Sequence, residues 1–149
     1  MTPKVVAVSG CLGFLGTHVV EALTQHGYYV YGYDAETYAA NLDWLETRRG
    51  FSDIFKYQKA DICTLEHLPD VDAIINLAAE THVDNSIQDS SKFVRTNVLG
   101  THHLLELVRA KRNYQMPLFL HVSTDEVYGS IPTGTSTEAS PLAPSSPYA

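Results

Sequence analysis

Two stretches of this chain carry residues whose types and spacing can do chemistry. The first is Ser9-Gly10-Cys11-Leu12-Gly13-Phe14-Leu15-Gly16, with a glycine at every third position. Glycine is needed where a turn is tight, where backbone must approach a phosphate, and where a helix packs closely on a strand. A helix N-terminus placed behind such a turn offers unpaired amides and a partial positive charge to an anion. The pattern therefore predicts a pyrophosphate cradle. The second stretch is Ser123-Thr124-Asp125-Glu126-Val127-Tyr128-Gly129, a hydroxyl followed by two consecutive carboxylates. As a bare string, Asp-Glu reads as a solvated turn. At the end of a strand whose tip faces a ligand, it is the chemically loaded end of the molecule.

The elements that must position these stretches follow from the apolar pattern. Val5 to Val8 is an unbroken apolar run, as expected for a parallel strand covered on both faces. After the glycines, Val19, Val20 and Leu23 mark one side of a helix that Gly27 should end. Tyr29 to Tyr33 reads as a second strand and delivers Asp34 about twenty residues after the loop, where this motif requires an acid. A carboxylate there accepts the adenosine ribose hydroxyls and repels a 2′-phosphate, so the cofactor is expected to be NAD and not NADP. The expected fold class is α/β, a Rossmann-type doubly wound parallel sheet with helices on both faces.

Strand C-termini face the ligand in such a sheet, which selects the remaining candidates. Thr37 and Tyr38 lie in a loop where an adenosine could rest, and a short helix spans Asp43 to Glu46. Tyr38 and Trp44 are open between ring stacking on the cofactor and core packing. Phe55 to Ala60 forms a third strand ending in Asp61 and Ile62, with Asp61 either meeting the adenine amino group or capping a helix. Val71 to Leu77 is the fourth strand, and Leu77, Ala78, Ala79 and Thr81 let a flat ring or ribose come close to the backbone. His82 is open between a general base and a hydrogen-bonding loop residue. A helix from Lys92 to about Arg112 buries Phe93, Val94, Leu99, Leu104, Leu105 and Val108, while Thr96 and Asn97 suggest polar work on the cofactor side. Pro117 to Val122 is the fifth strand, and it carries the acidic tip. The stretch from 130 to 149 is rich in Pro, Ser and Thr and reads as a loop or tail.

With 149 residues the chain can bury the core of one domain. A net charge of -7 argues against nucleic acid or an anionic membrane surface as partner. Two cysteines, Cys11 and Cys63, make no disulfide framework, so a reducing cytoplasm is the expected setting. Cys11 is read as a small buried filler in preference to a reactive thiol. No signal peptide or membrane span is expected. No histidine pair has metal-ligand spacing, since His102 and His103 are adjacent on a helix, and no metal is assigned.

Several of these pieces together resemble the dTDP-glucose 4,6-dehydratases, nucleotide-sugar enzymes of the extended short-chain dehydrogenase type. The matching pieces are Gly10 to Gly16, Thr37-Tyr38-Ala39-Ala40-Asn41-Leu42, Asp61-Ile62, Leu77 through Ile87, Thr96-Asn97-Val98-Leu99-Gly100-Thr101, His121 through Gly129 with the Thr124-Asp125-Glu126 tip, and Ala143 through Tyr148. The resemblance implies that Gly10, Gly13, Phe14, Leu15, Gly16, Asp34, Thr37, Asp61, Ile62, Leu77, Ala78, Ala79, Thr81 and Thr96 hold NAD. It implies that Tyr148 takes the proton of the sugar 4-hydroxyl and Thr124 hydrogen-bonds that oxygen. Glu126 then removes the C5 proton while Asp125 protonates the departing 6-hydroxyl. One carboxyl must be charged and the other protonated at the same moment, which neighbouring groups in unlike environments can achieve.

The chain departs from the family pattern at three places. Cys11-Leu12 replaces a small pair, Asn85 stands where arginine is usual, and the lysine expected four residues after the tyrosine falls past Ala149. The expected organisation is an NAD-binding domain over 1–149, with 130–149 an active-site loop or tail and a C-terminal substrate domain absent. The resemblance further implies a nucleotide-sugar substrate and a homodimeric full-length enzyme, with these residues inactive alone. Other readings are an epimerase, a dehydratase for another nucleoside diphosphate sugar, or a non-catalytic dinucleotide-binding module.

Overall fold

The computed structural model describes residues 4–48, 53–111 and 116–149; the expected helix end at Arg112 and the opening Met1-Thr2-Pro3 lie outside them. Five strands, β1 (Val5–Ser9), β2 (Tyr29–Asp34), β3 (Phe55–Lys59), β4 (Ala73–Asn76) and β5 (Leu118–His121), form one sheet in the order β3-β2-β1-β4-β5. Every pairing is parallel. The order reverses at β1, and this switch point is where such sheets open a crevice beyond their strand ends. The register keeps those ends level: Ser9 pairs with Tyr33 and with Asn76, and Asn76 pairs with His121.

β1 shows why its sequence does not alternate. Ala7 packs on one face of the sheet with Tyr33, Ile74, Leu104 and Val108. Val6 and Val8 pack on the other with Leu12, Val20, Val30 and Phe55. Alternate side chains point to opposite faces, and both faces are covered, so Val5 through Val8 are all apolar. Each buried Val, Leu or Ile side chain among these contributes about 1.5–3 kcal/mol.

Helix α1 (Phe14–Gln25) follows the glycine turn, and Gly27, at a φ of 79°, ends it as expected. Helix α2 is Leu42–Thr47. A further short helix, α3 (Val83–Gln88), follows β4; it buries only Ser86, so no apolar spacing marks it in the sequence. A longer helical run, labelled α4 here, has three parts: Ser91–Phe93, a π-helical Val94–Gly100 and Thr101–Ala110. Its expected buried side is half right. Phe93, Leu104 and Val108 are buried, but Val94, Leu99 and Leu105 are 49%, 57% and 44% exposed. The apolar residues of α4 wrap wider than the one side the sheet covers, and the i→i+5 bonding of the π-helical part takes Val94 and Leu99 off the ordinary helical period.

Candidate functional site

The glycine turn is closed by sterics. Gly10 has a φ of 69°, and a Cβ there would lie 2.7 Å from the amide nitrogen of Ala78. A Cβ on Gly16 would lie 2.0 Å from the carbonyl oxygen of Gly10, so the first turn of α1 can pack on the loop only without a side chain. The Gly13 amide donates to the Gly10 carbonyl and the Thr17 amide to the Gly13 carbonyl. The N-terminus of α1 carries no capping side chain and no acidic residue in its first turn. The backbone of Phe14, Leu15 and Gly16 therefore presents an uncapped helix start, while the Phe14 and Leu15 side chains are 80% and 55% exposed.

Asp34, buried at the end of β2, ties this turn down. Its Oδ2 accepts from the Leu12 amide at 3.0 Å and its Oδ1 from the Glu36 amide at 2.8 Å. Each carboxylate oxygen keeps a further lone pair. Leu12 thus fills a buried site in the loop, and Cys11 beside it is fully buried. Burial, with the charge of Asp34 adding, pushes the Cys11 thiol far above its ordinary range. It is a filler, not a nucleophile.

A cleft of about 440 Å³ opens across the strand ends at the switch point. Gly10, Gly13, Asp34, Thr37, Asp61, Ile62, Leu77, Ala78, Ala79 and Thr96 line it, all expected positions. Phe14, Leu15, Gly16 and Thr81 are not among its walls; Thr81 is exposed beyond its end. The walls also include residues that no motif marked, among them Lys92 and Arg95 of α4. Asp61 proves to do two jobs. Its Oδ1 accepts from the Cys63 amide at 2.8 Å, an Asx-turn, and its Oδ2 lies 3.5 Å from the Arg95 guanidinium. Of the two aromatic candidates, Tyr38 lines the cleft, with its phenol pushed up by burial and then by Glu80. Trp44 packs edge-on against Phe55 at 5.8 Å and donates to Glu21 at 2.8 Å, so it belongs to the core.

A second, smaller cleft of about 250 Å³ lies along the same end of the sheet, where Thr124 and Tyr148 share walls with Ser123, His121 and Asn97. Thr124 caps the 3₁₀ turn Asp125–Tyr128, accepting from the Glu126 amide at 3.2 Å. The 130–149 stretch is irregular, as its composition predicts, yet it folds back. Ala143 donates to the Val127 carbonyl at 2.9 Å, and the Tyr148 ring meets Phe93 edge-on at 6.3 Å. Asp125 and Glu126 are exposed and line neither cleft.

Two polar devices hold these clefts in place, and sequence reasoning missed both roles. Asn97 clamps the backbone of Glu80, accepting from its amide and donating to its carbonyl, each at 2.9 Å. This pins the small-residue loop after β4 to α4. Asn76, 1% exposed, accepts from the Ser9 hydroxyl at 2.6 Å and lies 3.2 Å from both Thr101 and His121. One buried amide thus joins the ends of β1, β4 and β5. The signal for it is a lone polar residue inside the apolar Ala73-Ile74-Ile75-Asn76-Leu77 run. His82 caps α3 through its carbonyl and is exposed, the hydrogen-bonding loop reading. Among the described residues no group of three or more His, Cys, Asp or Glu could hold a metal ion. No described helix is long and apolar enough to cross a membrane.

A parallel sheet with its crevice at the switch point, a glycine turn under a helix start, and an acid at the second strand tip define a Rossmann-type dinucleotide fold. A family model described as GDP-mannose 4,6 dehydratase matches residues 7–149, and the chain belongs to that family. It is 41% identical over 154 residues to a dTDP-glucose 4,6-dehydratase of Streptomyces niveus, covering 97% of this chain and 45% of the relative. It is 43% identical over 148 residues to one from Streptomyces griseus, covering 95% and 44%. Among solved structures, DesIV, a dTDP-glucose 4,6-dehydratase from Streptomyces venezuelae with NAD and TYD bound, superposes with a TM-score of 0.88 at 39% identity, covering 97% of this chain and 47% of that one. The UDP-Glc/GlcNAc 4-epimerase of Campylobacter jejuni superposes at 0.85 with 25% identity, covering 97% and 44%. The likeness read from the motifs is thus found again over nearly the whole chain. The chain spans about half the length of the curated relatives it matches.

Proposed function

We propose that this chain is the cofactor-binding part of an NAD-dependent nucleotide-sugar 4,6-dehydratase, with dTDP-glucose as substrate and a 4-keto-6-deoxy sugar nucleotide as product. One observation carries the reading. The Thr124-Asp125-Glu126 tip leaves β5 at the same end of the sheet as the glycine turn, with Thr124 and Tyr148 walling one cleft. Identity of about 40% to dTDP-glucose 4,6-dehydratases favours this over an epimerase, for which the identity is 25%.

The residues present fit NAD. Gly10 and Gly16 leave a cradle that a Cβ would fill, the α1 start is uncapped, and Asp34 keeps lone pairs for two ribose hydroxyls. Asp61 and Ile62 would meet the adenine, and Thr37, Leu77, Ala78, Ala79, Thr81 and Thr96 would flank the rest, with the Phe14 and Leu15 amides toward the diphosphate. Bound NAD+ would supply the hydride acceptor for the sugar C4 and, once reduced, the hydride donor for C6. Tyr148 accepts the proton of the 4-hydroxyl, and Thr124 donates a hydrogen bond to the same oxygen. The C4 ketone acidifies C5, so Glu126 removes that proton as Asp125 protonates the leaving 6-hydroxyl, which departs as water. Residues 1–149 form the NAD-binding domain, and 130–149 the active-site loop.

A cytoplasmic setting is supported by two free thiols, Cys11 and Cys63. A homodimer of the full-length protein is supported by the apolar Leu99 and Leu105 left exposed along α4. The test is to assay product formation from dTDP-glucose by the 149-residue chain and by a full-length version carrying it. The full-length protein yields the 4-keto-6-deoxy product, and the 149 residues alone yield none. Conversion of the epimer type, with no loss of water, would overturn the assignment.

A further inference from the structure

Resting on the reading of the larger cleft as an NAD site, we propose that Glu36 is a positioning residue for Asp34, holding the turn that aims the Asp34 carboxylate at the adenosine ribose. Glu36 has a φ of 56°, a left-handed conformation that among the described residues is otherwise left to glycines. A glutamate is held there only where its surroundings over-determine it. Here they do. The Glu36 amide donates to Asp34 Oδ1 at 2.8 Å, closing an Asx-turn over residues 34–36. The Glu36 carboxylate turns back onto β3, where the Tyr57 hydroxyl donates to Oε1 at 2.9 Å and Lys59 Nζ to Oε2 at 2.5 Å.

Tyr57 and Lys59 are two residues apart on β3, hence on one face of the strand, and Lys59 pairs in register with Asp34 itself. Lys59 and then Tyr57 draw the Glu36 carboxyl below its usual range, so the anchor is charged at neutral pH. The line of contacts runs from β3 through Glu36 and Asp34 to the Leu12 amide in the glycine turn. Glu36 does not line the larger cleft; its side chain faces the other side of the turn, toward Tyr57 and Leu42. It therefore acts through Asp34. Without the anchor the turn relaxes to an ordinary φ, Asp34 loses one of its two amide donors, and its carboxylate no longer holds one orientation.

The test titrates NAD+ and NADP+ into the 149-residue chain and its Glu36→Ala, Glu36→Gln and Glu36→Gly variants. Asp34 favours NAD+ by accepting ribose hydroxyls and repelling a 2′-phosphate. Glu36→Ala should therefore weaken NAD+ about tenfold and NADP+ less than about twofold. Glu36→Gly, which removes the backbone cost but also the anchor, should match alanine. Glu36→Gln, which keeps an acceptor for Tyr57, should stay within about threefold of the unaltered chain. A residue that merely stabilised the fold would weaken both nucleotides equally. Should alanine at 36 fail to fold, Tyr57→Phe reads the same link, with a smaller loss confined to NAD+. A second arm follows hydrogen exchange of the Leu12 amide, which should speed up at least about tenfold in Glu36→Ala as its Asp34 acceptor loosens. If the unaltered chain takes up no NAD+, the cofactor reading fails and the Leu12 amide still decides the positioning claim. An unchanged NAD+ to NADP+ ratio in a chain that binds NAD+, or an unchanged Leu12 exchange rate, overturns it.

Discussion

Around Gly10 the chain has left no room, and around Asp125 it has left nearly everything open. Ser9, Cys11, Leu12, Thr17 and Asp34 are all 9% exposed or less, and each is fixed by packing or by a named hydrogen bond. Four strands later in sequence, though at the same end of the sheet, Asp125 and Glu126 stand in solvent on a single 3₁₀ turn. β5 leading to them exposes Leu118 at 70% and Leu120 at 51%. On the proposed reading, the nucleotide corner asks only for backbone and one carboxylate, and both are held in place. The acidic tip stands outside both clefts. Two carboxyls can be held in opposite protonation states only by unlike environments, and in this chain both face water.

The largest effect should come from breaking the chemistry at the open end. In a full-length protein, Asp125→Asn with Glu126→Gln should cut water loss by about 10²–10⁴-fold while sparing C4 oxidation. Nicotinamide absorbance reads the oxidation, and product analysis reads the elimination. In the 149-residue chain the same pair should change stability by less than about 0.5 kcal/mol, because both side chains are exposed. Elimination that survived the double change would remove these two residues from the mechanism.

At the closed end the order reverses, and stability is what suffers. Gly16→Ala puts a methyl 2.0 Å from the Gly10 carbonyl oxygen. The forced shift should cost about 3 kcal/mol, or a fall in melting temperature of roughly 6–12 °C, with loss of NAD binding. Asn76→Ala tests the link between the two ends. It leaves the buried Ser9 hydroxyl without its acceptor and should cost about 1–3 kcal/mol. Because Asn76 also lies 3.2 Å from His121, backbone exchange rates at the β5 tip should rise as well. A tip unaffected by the change would mean that the two ends are held independently.

The smallest effect concerns pH. The Trp44 indole, and then Arg48, hold the Glu21 carboxyl below its usual range. Lys59 and then Tyr57 do the same for Glu36. Because these folded values are depressed, their stabilisation is present above the unfolded carboxyl value, about 4.3, and is lost as pH falls through the folded ones. Melting temperatures measured between about pH 6 and pH 2 should therefore fall less steeply in Trp44→Phe than in the unaltered chain.

Much of the fold was legible because it rests on local signals. The five strand patterns, the glycine spacing, Gly27 as a helix stop and Asp34 at a strand end each depend on neighbours close in sequence. The misses share a cause as well. Val94, Leu99 and Leu105 are apolar at helical spacing, yet which side of α4 the sheet covers is a matter of packing. Trp44 could stack on a ligand or on Phe55, and only the placement of α2 beside α1 chose the second. Lys92 and Arg95 gave no motif, since a charge on a helix says nothing of the cleft it borders.

By itself, then, the sequence determined that a glycine turn, an acid and a hydroxyl-acid-acid tip all stand at strand ends. Each is written in a few adjacent residues with its own backbone preference. The tertiary structure decided how these parts bear on one another: Asn76 binding three strand tips, Asn97 fastening the β4 loop, and Glu36 held left-handed by two side chains from β3. Such contacts join residues 17 to 67 positions apart, and no local preference can encode a distance that only the folded sheet creates.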